Sequence, residues 1–148
     1  MSADTDEMYR LMGKMVISGG ELEFALGMMA AMLRGESWGS KVMAQPVSQI
    51  MDASAKEAAK SKRPERVAQW RSVLDECRAA FERRNQYVHG LWTSEYDPVA
   101  GEFGNRSTTR PVRGGGLNRQ SATRDDLQEL QERFSRLIRT IHTWEWKA

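Results

Sequence analysis

Residues 64–90, PERVAQWRSVLDECRAAFERRNQYVHG, decide how this chain is read. Val67, Trp70, Leu74, Cys77, Phe81 and Val88, and then Leu91, recur at the spacing that gives a helix one apolar face. Pro64-Glu65 suits a first turn, and Gly90 is a natural stop. One position breaks the pattern. Arg84 stands where an apolar residue is due, and an arginine on a buried stripe is costly unless it is paired or sits at a site or interface.

Upstream, Met8, Met12, Met15, Gly19, Leu22, Leu26, Met29 and Leu33 form a second stripe, in steps of four and three. It keeps phase across Gly19-Gly20, which predicts one long helix or two nearly collinear ones. Gly19 on the buried face lets another helix approach closely. A weaker helix is expected from about Pro46 to Ser61, around Val47, Ile50 and Met51. Downstream, the period changes. Leu91 to Tyr96 and Phe103 to Arg110 read as a small hairpin, and Gly114-Gly115-Gly116 as a flexible connection. Thr123 then caps a last helix whose buried face is Leu127, Leu130, Phe134, Leu137, Ile138 and Ile141. The expected fold is all-α: one domain over residues 1–148, a four- to five-helix bundle with a small β-hairpin insertion at about 91–122.

Composition narrows the function. The chain has 148 residues, 22 Lys+Arg against 20 Asp+Glu, two His and one Cys. One cysteine excludes a disulfide scaffold and a multi-cysteine zinc site, so neither a metal nor another cofactor is expected. Cys77 lies on the core stripe and reads as a small buried hydrophobe rather than a nucleophile. The acidic N-terminus is the reverse of a signal peptide. The longest apolar run, Ala25 to Leu33, falls short of the ~20 residues of a membrane span. A soluble, cytoplasmic protein with no membrane contact is expected.

No phosphate loop, dinucleotide motif or hydrolase elbow is present. What carries chemistry is the end of the third helix, Arg83-Arg84-Asn85-Gln86-Tyr87-Val88-His89-Gly90. Asn85 and His89 are i, i+4 neighbours beside the misfit Arg84. Arg84-Asn85-x-x-x-His89 resembles the signature of the HEPN superfamily, the higher eukaryote and prokaryote nucleotide-binding domains: Arg, four to six residues, then His, often with Asn after the Arg. Gly20-Glu21-Leu22-Glu23-Phe24-Ala25-Leu26 loosely resembles the family's first-helix pattern. Arg136 and His142 also meet the looser spacing, but apolar Leu137 follows that Arg. In one branch of the family a Tyr two residues past the His is modified by a partner nucleotidyltransferase; here that position is Leu91.

The resemblance implies a metal-independent endoribonuclease acting as a homodimer, with the motifs of both subunits at the interface. It implies RNA as substrate and suggests a toxin or defence effector restrained by an antitoxin protein. The residues suit that chemistry. His89 is a general base or acid near neutral pH, Arg84 stabilises charge on a phosphoryl oxygen, and Asn85 orients one or the other. Along a helix, Arg84 and His89 stand about 7.5 Å apart in rise and about 140° in rotation, so one subunit presents them on different flanks. Two antiparallel copies of this helix end would bring the His of one near the Arg of the other. The alternative is a non-catalytic HEPN-like module that binds RNA, a nucleotide or a protein.

Two further features bear on RNA. Between Phe103 and Arg124 there are five arginines and no acid, with Arg106, Arg110, Arg113 and Arg119 as candidate RNA contacts or, equally, a solvated loop. Trp144 and Trp146 offer stacking faces or, more simply, packing. Glu23 is a conceivable partner for Arg84, but its place off the apolar stripe predicts exposure.

Overall fold

The structure, a computed structural model, describes residues 3–37 and 39–144. It is mostly helical. Helix α1 (Ala3–Leu33) leads through a 3₁₀ turn (Lys41–Ala44) to α2 (Val47–Ala58) and α3 (Pro64–His89). Strands β1 (Leu91–Asp97), β2 (Glu102–Pro111) and β3 (Leu117–Ser121) follow, and α4 (Arg124–Thr143) completes the described chain.

The stripes become the core. Met8, Met15, Leu22, Leu26 and Met29 of α1 pack with Leu74, Cys77 and Phe81 of α3 and with Leu127, Leu130, Phe134, Leu137 and Ile141 of α4. α1 is one continuous helix through both glycines. Gly19 permits the close approach expected of it: a Cβ there would meet Arg84 Cδ at 3.2 Å and the Phe134 ring at 3.5 Å. α4 opens with a capping box, Thr123 and Asp126 each bonding the other's backbone N–H.

Three expectations need correction. The insertion is not a hairpin but a three-stranded antiparallel sheet in the order β1-β2-β3. The triple glycine is not a loose connection but the tight turn joining β2 to β3. Val112 and Gly116 are hydrogen-bonded across it, and Gly114, Gly115 and Gly116 all have positive φ, which only glycine adopts without strain. The stripe of α3 also ends at Phe81. Val88 and Leu91 are exposed (43% and 68%), and Gln86 and Tyr87 are buried in their place.

That last change has a physical cause. The sheet docks on the final turns of α3 from a different direction than α1 and α4 do. Gln86 Nε2 donates to Thr108 O and Asn118 O, at 3.1 and 3.0 Å, bonding β2 and β3 together to the helix. Trp92 Nε1 of β1 donates to Tyr87 O at 2.8 Å, and the two rings pack 6.1 Å apart. A second layer therefore buries a second face of α3, which a single-stripe reading cannot show. α2 is shorter than the expected Pro46–Ser61, with Pro46 as its N-cap.

By length and composition α1 passes the test for a membrane-crossing helix, with mean hydropathy 1.4 over its best window. Half of that window is buried inside the bundle.

Candidate functional site

Arg84 is held from three directions. Its Nη1 donates to Glu23 Oε1 of α1 at 2.6 Å, its Nη2 to Asn85 Oδ1 at 3.2 Å, and its guanidinium lies 5.0 Å from the Phe81 ring centre. The charge that looked misplaced on a buried stripe is thus paired, stacked and mostly covered, its side chain 19% exposed. Glu23 sits off the apolar stripe and is 39% exposed, yet it reaches the guanidinium. The expected exposure of Glu23 thus holds in part, but the close crossing of α1 and α3 at Gly19 also makes it the partner of Arg84.

Arg84 and Asn85 therefore meet, and Glu23 joins them. His89 does not. It is the last residue of α3 and exposed, with no side-chain hydrogen bond or ion pair among the described residues. The helix separates it from Arg84 as its geometry requires. One subunit presents an anchored arginine–asparagine pair and, more than a turn away, an open imidazole.

Beneath them the helix end is cross-linked by polar contacts. Arg83 Nε donates to Tyr87 Oη at 3.0 Å, and Arg83 Nη2 reaches Asp126 at 3.4 Å. Burial pushes the Tyr87 hydroxyl above its ordinary pKa, against the lowering effect of the Arg83 bond. Burial also opposes ionisation of Asp126. The bonds it accepts from the Ser121 hydroxyl and from Thr123, together with the Arg83 charge, outweigh that and hold its pKa below the ordinary aspartate value. This network ties α3, β3 and the cap of α4 into one unit. Sequence reading missed Gln86, Tyr87 and Arg83, and a buried-type aromatic lying off the stripe was the one available signal.

The arginines of the insertion do not form one patch. Arg106 and Arg110 alternate with Ser107 and Thr109 on β2, so they share the side of Thr108, which faces α3. Arg119 pairs with Thr109 and belongs to the opposite, solvent-facing side, where it donates to Ser107 Oγ at 2.9 Å and lies 3.6 Å from Glu95. Arg113 sits exposed near the glycine turn.

The remaining candidates resolve readily. Burial pushes the Cys77 thiol up to about 12, so it is no nucleophile at neutral pH. Arg136 reaches Glu76 at 3.6 Å, and His142 lines a groove between α1 and α4. Trp144 packs edge-on against Trp70, 5.7 Å between ring centres, leaving it a core role. Trp146 lies outside the described residues. Among the described residues no three His, Cys, Asp or Glu side chains group to hold a metal ion.

No family model, no curated protein and no solved structure matches this chain.

Proposed function

We propose that the chain is a HEPN-like helical domain acting as a metal-independent endoribonuclease. The observation that carries this reading is the α3 terminus: an anchored Arg84–Asn85 pair with an open imidazole on the next turn. A guanidinium has five N–H donors. Glu23 and Asn85 occupy one on each terminal nitrogen, so donors remain for a phosphoryl oxygen.

In the reaction, His89 takes the proton of an RNA 2′-hydroxyl, whose oxygen attacks the adjacent phosphorus. The P–O5′ bond breaks, and the leaving oxygen takes a proton from a histidinium or from water. The products are a 2′,3′-cyclic phosphate and a 5′-hydroxyl end. Arg84 stabilises the charge that builds on the phosphoryl oxygens. DNA lacks the attacking hydroxyl and is spared. Because one subunit holds Arg84 and His89 apart, the working form is a homodimer in which the two motifs complement each other. We place it in the cytoplasm, off the membrane, as a toxin or antiviral defence effector restrained by a partner protein. Arg106, Arg110, Arg113 and Arg119 are candidate RNA contacts, with Arg113 exposed and Arg119 already engaged by Glu95.

Incubating the protein with single-stranded RNA in EDTA tests the reading. The wild type cleaves and leaves 5′-hydroxyl ends, His89→Ala does not, and the matching DNA stays intact. Equal cleavage by the two proteins, or none by either, sinks the catalytic assignment.

A second reading is a non-catalytic module of the same kind that binds RNA, a nucleotide or a protein. The Arg84–Glu23 ion pair favours it, because it neutralises the arginine and ties two helices together. In that case Arg84→Ala loosens the fold or its assembly, and no cleavage is lost because there was none.

A further inference from the structure

The outward face of α1 carries a row of exposed apolar side chains apart from the α3 site. Tyr9, Val16, Ile17 and Phe24 are 45–65% exposed, and all fall on the side of α1 turned away from its buried stripe. Gly13 and Gly20 lie among them, seven residues apart on one row. A Cβ at either position would meet nothing within 4 Å, unlike Gly19 and Gly27, which face Arg84 and Met43. The folding of this chain therefore does not call for glycine at 13 or 20, although each weakens the helix by about 1 kcal/mol relative to alanine. Bare backbone in an apolar helix face is what a second helix needs to approach closely.

The flanking charges indicate which helix. Lys14 and Glu21 are exposed and seven residues apart on the same edge of this face. Packed in parallel, two copies of α1 carry this edge on opposite sides of the seam, so Lys14 and Glu21 of one copy meet neither charge of the other. Packed antiparallel about a two-fold axis near residues 17–18, they put Lys14 of each copy opposite Glu21 of the other. The face is complementary to itself in that one orientation, as a two-fold interface requires. A groove of about 540 Å³ between α1 and α4, whose lining includes Ile17, Gly20, Glu21, Phe24, Ile138 and His142, extends it.

We infer that the outward face of α1 is a self-association surface, on which two copies of the chain pack α1 against α1 in antiparallel register around Ile17. It lies next to the candidate site, since Glu23 shares a helical row with Val16. It does not rest on the ribonuclease reading, because assembly is measured without RNA.

Sedimentation of the full chain gives a dimer, and Ile17→Arg gives a folded monomer by circular dichroism. Lys14→Glu and Glu21→Lys each weaken the dimer about tenfold, and the double variant restores it. Restoration reports a contact between copies, because within one helix the two residues are about 10 Å apart. Cysteine cross-linking fixes the direction. Ile17→Cys forms a disulfide with itself, whereas Tyr9→Cys does not, its two copies standing about 25 Å apart. A monomeric wild type, a dimer indifferent to Ile17→Arg, or a Tyr9→Cys self-disulfide each overturns the proposal.

Discussion

The last two turns of α3 have two sides built on different terms. On one, Gln86 and Tyr87 are buried, and the Gln86 amide is spent on the carbonyls of Thr108 and Asn118. On the other, Val88 and His89 face solvent, and Arg84 and Asn85 are bonded to each other at the margin. Residues adjacent in sequence thus do opposite work. The sheet holds the helix end from behind, while in front Arg84 is held by Glu23, Asn85 and the Phe81 ring and His89 stays open. His89 is thus open to solvent at a helix end whose other side is held by the sheet.

The contrast is sharp enough to break. Tyr87→Ala empties a fully buried ring site and is expected to cost about 3–5 kcal/mol in urea unfolding. His89→Ala, on the opposite side, stays within about 0.5 kcal/mol of wild type. Similar losses from the two would erase the distinction.

Gln86→Leu ranks next. It keeps the volume but takes the side-chain donor from two strand carbonyls, at a cost of about 1–3 kcal/mol. Hydrogen exchange should quicken in β2 and β3 and leave the middle of α1 unchanged. Uniform quickening would mean that the sheet and the bundle open as one.

The smallest effect concerns the hinge between sheet and helix. Asp126→Asn weakens the capping box by about 1 kcal/mol at neutral pH. The folded-state pKa of Asp126 lies below its unfolded value of about 3.9, so its charge stabilises the fold above that value. This contribution is lost as pH falls through the lower, folded value. Wild type and Asp126→Asn should therefore converge in stability below about pH 4. A gap that persists unchanged at acid pH would show that shape, not charge, makes the cap.

Much of this was legible in residue spacing. The stripe from Met8 to Leu33, the face from Val67 to Phe81 and the Thr123 cap each declare a helix, because periodicity and capping are local rules. β3 was not legible. Leu117–Ser121 holds a single apolar residue and is almost wholly exposed; it is a strand because β2 offers it a backbone ladder and three glycines turn the chain back. Arg84, Asn85 and His89 stood out as candidates through the motif and the misfit arginine. Glu23 was named as a partner for Arg84 but read as exposed, because its stripe position says nothing of where two helices cross.

The sequence by itself determined the helices and most of their inward faces, and it singled out Arg84, Asn85 and His89 as candidates, since these follow from spacing and side-chain type. Only the tertiary structure decided that Glu23 neutralises Arg84, that a sheet covers Gln86 and Tyr87, and that the insertion's arginines divide between two faces. Each of those depends on elements distant in the chain meeting at one place, and local patterns carry no record of that meeting.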